Sequence, residues 1–251
     1  MTLKAIIFDV DGTLAESEVV HREAFNRAFS EFGLPTNWDE KAYIATHLKT
    51  AGGFERLVVA SQSDLGLNGV DLLALHRRKN EIYVEMVGGG GLVMKRGVKR
   101  LITEAKESGI KVAVATTTSF DNVSALITSN FSLDVYDVVD FVGAGDVVEV
   151  KKPSPLVYEY VLDGLGINAS DGLAIEDSDN GIISATSAEL PTLVVQSRFS
   201  PIEKNHKVAG YVKDLGDDGD RKLVNVGPHL GGVVTLEFLK EVQSKGNAFR
   251  I

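Results

Sequence analysis

Ala5-Ile6-Ile7-Phe8-Asp9-Val10-Asp11-Gly12-Thr13 decides the fold. Four apolar residues in a row predict a strand buried on both faces, as in a parallel sheet with helices on either side. Two carboxylates follow directly, so Asp9 and Asp11 stand past the strand's carboxyl end, where open α/β sheets bind their ligands. An ordinary acidic turn would also fit the pentapeptide alone. The chemical reading is a carboxylate nucleophile with a second carboxylate two residues on to move a proton.

The 251 residues leave room for one large domain or for a core with an insertion. With 44% hydrophobic and 24% charged residues the composition is that of a globular protein with a sizeable core. There is no cysteine, which excludes disulfides and thiolate chemistry and fits a reducing compartment. The formal net charge of −9 disfavours nucleic acid as a partner. No run reaches the length of a membrane span, and nothing points to an obligatory protein partner.

Val20, Ala24, Phe25, Ala28, Phe29 and Phe32 line one helix face, with Gly33 at its end. Residues 16–91 hold little that reads as a buried strand, and the expectation is a helical insertion ending at Gly88-Gly89-Gly90-Gly91, a surface turn or a hinge. From Gly97 on, helices alternate with strands at Lys111–Ala115, Val138–Val142, Leu173–Ile175 and Thr192–Val195. The core is therefore expected to be discontinuous, 1–15 with 92–251: an α/β, Rossmann-like three-layer unit around a parallel sheet. Residues 214–231 read as an irregular loop before a terminal helix.

Three further polar clusters follow strands. Thr116-Thr117-Thr118-Ser119 offers hydroxyls and N–H groups at a helix entry, a phosphate site or a simple N-cap. Lys152, stiffened by Pro153 and Pro155, is a fixed point charge or a solvated lysine. Glu176-Asp177 is an acidic helix start or, with Asp9, a site for a hard cation such as Mg2+.

All four clusters share one topology, and in this order the sequence resembles the haloacid dehalogenase superfamily of phosphotransferases. The resemblance implies a five-stranded parallel core in which the first strand neighbours the fourth. It also implies that Asp9 forms an aspartyl-phosphate while Asp11, protonated at neutral pH, acts as acid and then base. Thr116, Thr117 and Lys152 would bind the phosphoryl group, and Asp9, Asp11 (through its carbonyl), Glu176 and Asp177 supply the Mg2+ site.

Gly52-Gly53-Phe54-Glu55-Arg56, His76-Arg77-Arg78-Lys79 and Lys151-Lys152-Pro153-Ser154-Pro155 further resemble CbbY-type sugar-bisphosphate phosphatases. Those enzymes hydrolyse xylulose 1,5-bisphosphate, an inhibitory by-product of Rubisco. The resemblance implies a small sugar phosphate as substrate, a soluble intracellular setting in a plastid stroma (after loss of a transit peptide) or a bacterial cytoplasm, and cap contacts from Glu18, His21, Gly52, Gly53, Arg56 and Lys79. Two departures stand out: Phe54 replaces a lysine, with Lys49 as a substitute, and Arg96 replaces a proline. A β-phosphoglucomutase is the neighbouring alternative, and a catalytically idle binding protein the distant one.

Overall fold

The computed structural model describes residues 2–63, 65–202, 205–223, 225–227 and 230–251. Its first strand, β1 (Ala5–Phe8), is completely buried, and side chains alternate between two cores as the period of a strand requires. Ile6 and Phe8 join one apolar cluster, Ala5 and Ile7 the other.

Four helices come next: α1 (Glu18–Glu31), α2 (Glu40–Ala45), α3 (Gly53–Ser61) and α4 (Leu72–Gly88). No strand lies between β1 and the end of α4 among the described residues. Gly88 still belongs to α4, and the chain turns at Gly90 with φ +81°. The second part runs α5 (Val98–Glu107), β2 (Lys111–Ala115), α6 (Phe120–Phe131), α7 (Val135–Val138), β3 (Phe141–Gly143), α8 (Leu156–Leu165), β4 (Gly172–Glu176), α9 (Asp179–Ser187) and β5 (Thr192–Val195). It ends with β6 (Lys207–Val208), β7 (Gly210–Val212), α10 (Leu236–Lys245) and β8 (Phe249–Arg250).

The sheet order is β3-β2-β1-β4-β5-β7, all parallel, so β1 does lie beside β4. Six described strands replace the expected five. The extra one, Gly210–Val212, is a three-residue edge strand too short to leave a periodic pattern, paired to Leu193–Val195. The strand expected at Val138–Val142 is also shifted. Asp134 accepts from the Tyr136 amide and caps a short helix through Val138, so pairing begins only at Phe141.

Helices α5, α6 and α10 cover one sheet face through Leu101, Leu126 and Leu239; α8 and α9 cover the other through Val161 and Ala185. Register places the site. Phe8 pairs with both Val114 and Ile175, so Asp9, Ala115 and Glu176 reach the same level at the sheet's carboxyl edge. The Asp9 amide donates to the Ile175 carbonyl at 3.0 Å.

Helix α1 buries Phe25 and Phe29 against Trp38, with ring centroids 4.7 and 5.0 Å from the indole. Val20, Ala24, Phe25, Ala28 and Phe29 are buried as the spacing predicts, but Phe32 lies past the end of the helix and is exposed. Asn26 locks the contact by accepting from the Trp38 amide (2.7 Å) and donating to its carbonyl (2.9 Å). Removing the ring opens a cavity in this packing. Phe25→Ala is expected to lower unfolding free energy by about 3–5 kcal/mol, measured by urea denaturation.

Candidate active site

Lys152 lies 6% exposed under the end of β1. Its ammonium donates to Asp9 Oδ1 at 2.7 Å, to Glu176 Oε1 at 2.6 Å and to the Ala115 carbonyl at 2.8 Å. Three polar segments from three adjacent strands therefore meet at one nitrogen. Tyr158 of α8, fully buried, donates its hydroxyl to the same Glu176 oxygen at 2.6 Å and lies under the ammonium, 5.0 Å from ring centroid to Nζ. Sequence reasoning missed Tyr158. Its only signal is a tyrosine inside an apolar helix stripe, indistinguishable from core packing.

Asp9, Glu176 and Asp177 offer carboxylate oxygens within 4.8 Å of one another. With all three ionised, three negative charges face one ammonium, a surplus of two. Burial pushes Asp9 well above the ordinary carboxylate range; Lys152 opposes the shift, while Glu176, Asp177 and Asp11 reinforce it. Asp177 is pushed up to about 7, first by burial and then by Glu176. Lys152 is held above its ordinary value, since Asp9 and Glu176 outweigh the opposing effect of burial.

Asp177 Oδ1 accepts from Thr13 Oγ1 at 3.3 Å, whereas its buried Oδ2 has no hydrogen-bond partner among the described residues. Gly12 explains how the chain fits there. Its φ is +88°, and a Cβ would stand 2.0 Å from Asp177 Oδ2. Hard oxygen donors, an orphaned buried carboxylate oxygen and a twofold charge surplus fit a divalent cation such as Mg2+. Within the expected ligand set, Glu176 is largely committed to Lys152 and Tyr158. Asp9 and Asp177 have the freer oxygens.

Asp11 differs from expectation. Its side chain turns away from the acidic group, accepting at Oδ1 from Ser17 Oγ and from His21 Nε2 at 2.9 Å. Ser17 precedes α1 yet makes no side-chain cap, because its hydroxyl goes to Asp11. Burial alone would raise Asp11, but His21, Ser17 and Arg56 outweigh it and hold the carboxyl well below its ordinary range. These contacts favour the ionised form of Asp11, whereas the resemblance implies a protonated acid.

With Nε2 donating to Asp11, neutral His21 presents Nδ1 as an acceptor, and Lys79 Nζ lies 2.8 Å away. Burial lowers His21, as does Lys79. Lys79, 2% exposed, is itself lowered to about 7 by burial, opposed by Asp11. The result is a continuous chain from Lys79 through His21 to Asp11.

Arg56 does not stand free for a phosphate. It donates to both Glu18 oxygens at 3.1 Å, to Tyr43 Oη at 2.8 Å and to the Thr50 carbonyl at 2.9 Å. Glu18 also accepts from Tyr43 at 2.9 Å. This buried cluster balances its own charge. It joins α1, α2 and α3, and neither Glu18 nor Arg56 has a spare charge to offer a ligand.

A small chamber of about 80 Å³ is lined by Asp9, Asp11, Thr117 and Lys152, with Glu18 and Arg56 at its wall. A larger one, about 290 Å³, shares Asp11, Arg56 and Thr117 and extends past Gly52, Gly53 and Phe54 to His76, Lys79 and Lys151. Thr116 is buried, its hydroxyl accepting from the Thr118 amide at 3.2 Å. Phe54 packs on His76 with ring centroids 5.8 Å apart. Lys49 is exposed in the turn His47–Lys49, outside both linings, and Arg96 pairs with Asp217 and Asp220 on the surface. No helix among the described residues is long and apolar enough to cross a membrane.

Residues 6–195 match the family model of haloacid dehalogenase-like hydrolases. CbbY of Rhodobacter capsulatus is 44% identical over 80% of this chain and 88% of its own length. CbbY of Cupriavidus necator is 40% identical over 87% and 88%. The crystal structure of Rhodobacter sphaeroides CbbY with phosphate aligns at TM-score 0.83 and 36% identity, covering 87% of this chain and 97% of that one. An aspartate-to-asparagine variant of the same protein, crystallised with xylulose 1,5-bisphosphate, aligns at 0.77 and 38%, covering 79% and 88%.

The shift of Lys79 has a thermodynamic consequence. Between pH about 7 and about 10.5 the unfolded chain keeps a proton that folded Lys79 releases, so this group's contribution to stability rises with pH across that window. Stability of Lys79→Met relative to the unsubstituted protein is expected to be highest at or below pH 7 and to fall toward pH 10. Urea unfolding at several pH values measures it; parallel pH profiles would contradict the buried titration.

Proposed function

The chain belongs to the haloacid dehalogenase-like hydrolase family and is a phosphoric monoester hydrolase; from that premise we propose that it is a Mg2+-dependent phosphatase releasing one phosphate from xylulose 1,5-bisphosphate through an aspartyl-phosphate on Asp9. The observation that carries the reading is Asp9 itself, held by Lys152 within an acidic group that one lysine cannot neutralise. The similarity to a protein crystallised with xylulose 1,5-bisphosphate supports the substrate. Because that sugar is an inhibitory by-product of Rubisco, the activity would protect carbon fixation.

Asp9, Asp177 and the backbone carbonyl of Asp11 would hold Mg2+, which when bound neutralises charge developing on the phosphoryl oxygens. Lys152 orients Asp9 and offers its remaining field to the phosphoryl group, beside Thr116 and Thr117. An Asp9 carboxylate oxygen attacks phosphorus as the ester P–O bond breaks. The departing sugar oxygen takes a proton from Asp11.

The hydrogen-bonded chain from Lys79 to Asp11 supports a route for that proton. Lys79 passes one to His21 Nδ1 while His21 Nε2–H passes to Asp11 Oδ1, leaving Lys79 and His21 neutral and Asp11 protonated. After the transfer, ionised Asp11 accepts a proton from water. The water oxygen attacks phosphorus, the bond to Asp9 breaks, and inorganic phosphate leaves with Asp9 restored and Asp11 again protonated. Residues 16–91 would serve as a cap that covers the site and excludes bulk water.

Xylulose 1,5-bisphosphate is expected to be hydrolysed with release of phosphate, and a chelator to abolish turnover. Asp9→Asn should reduce kcat by roughly 10⁴-fold or more with circular dichroism unchanged. Asp177→Ala should raise the Mg2+ concentration needed for half-maximal rate. Interconversion of β-glucose 1-phosphate and glucose 6-phosphate without phosphate release would instead identify a mutase, and full activity in Asp9→Asn would exclude the covalent route.

A further inference from the structure

The larger chamber leads away from Asp9, and one of the cations that line it has no part in the reaction. Three cations line it: Arg56, Lys79 and Lys151. Arg56 is bound to Glu18 and Tyr43, both buried, and Lys79 is bound to buried His21. Breaking either set would strand a buried charge or donor.

Lys151 is different. Its side chain is 13% exposed, but its carboxylate partner, Asp146, is 97% exposed at the side chain. Besides Asp146, among the described residues it donates only to the Gly145 carbonyl, at 2.6 Å. An ion pair whose acid is fully solvated is worth little, so an incoming anion can take its place with small loss. Asp146 would then return to water.

The surroundings are arranged for an anion's uncharged partners. His76 is pushed down to about 4, by burial first and then by Lys79, so at neutral pH it offers a hydrogen bond and no charge. Ser119 and Thr118 also face the chamber. Phe54, packed on His76, adds an apolar wall and no cation of its own.

We propose that Lys151 is the specificity-determining cation for a second phosphate on the substrate, exchanging Asp146 for that phosphate when a sugar bisphosphate fills the chamber. The inference rests on the phosphatase reading above and deepens it. Discrimination between bisphosphates and monophosphates then comes from the loop before α8. The cap's Arg56 stays bound to Glu18 and keeps α1, α2 and α3 together.

The test compares kcat/KM for xylulose 1,5-bisphosphate with that for the better of the two xylulose monophosphates. Losing one charge-assisted contact in Lys151→Met should lower this ratio by about 10- to 100-fold, mainly through KM for the bisphosphate. Lys151→Arg should keep most of the preference. Asp146→Asn, which removes the competing carboxylate, should lower the KM for the bisphosphate relative to the monophosphates. An unchanged ratio in Lys151→Met, or a raised bisphosphate KM in Asp146→Asn, overturns the inference alone. A wild-type enzyme with no turnover of xylulose 1,5-bisphosphate overturns the reading beneath it as well.

Discussion

One ammonium among three buried carboxylates is the constraint on which the rest of the structure depends. Lys152 contacts Asp9 and Glu176 directly and faces Asp177 through the same small volume. Burying ionised groups is expensive unless they are paired, and with all three carboxylates ionised the pairing would be incomplete by two charges, which is why Asp9 and Asp177 are pushed upward. Neighbouring features share the task of keeping this arrangement intact. Tyr158 and the Asp177 amide satisfy Glu176, Gly12 leaves space for Asp177, and Gly181 leaves space for Glu176, whose Oε2 would be 1.9 Å from a Cβ there. A deficit of positive charge at the nucleophile suits a site whose substrate arrives with a divalent cation.

The other half of the site is built on the opposite plan. Asp11 and Glu18 face Lys79 and Arg56, so the charges balance when all are ionised. That neutrality would allow the Lys79–His21–Asp11 chain to move protons without adding net charge to a buried volume. In the proposed reaction it would also separate two jobs that the paired aspartates could not divide alone. Asp9 is poised by an unsatisfied field, Asp11 by a satisfied one.

Much of this was legible in the sequence because parallel strands carry their chemistry at one end. Once Phe8, Ala115 and Ile175 are read as strand termini, register brings Asp9, Thr116 and Glu176 together. The fold class followed from that, while the adjacency of the first and fourth strands, which the sheet shows, was implied by the resemblance to the haloacid dehalogenase superfamily. Less legible was anything set by partners distant in sequence. Arg56 looked like a phosphate cation because nothing local reveals that Glu18, 38 residues earlier, holds it. The resemblance implied a protonated Asp11, and nothing local reveals that Ser17 and His21 reach it through the fold. Edge strand β7 escaped notice for want of length. Tyr158 did so because a hydrogen-bonding tyrosine and a packing tyrosine are spelled alike.

The claim at the centre of this account is that Asp9 forms a bond to phosphorus. Acid quenching of the enzyme during turnover of substrate carrying radiolabelled phosphate, followed by peptide mapping, measures it directly. The account predicts acid-stable, hydroxylamine-labile label in the peptide containing Asp9, and none in Asp9→Asn. Phosphate release at full rate with no label on the protein at any quench time would contradict it.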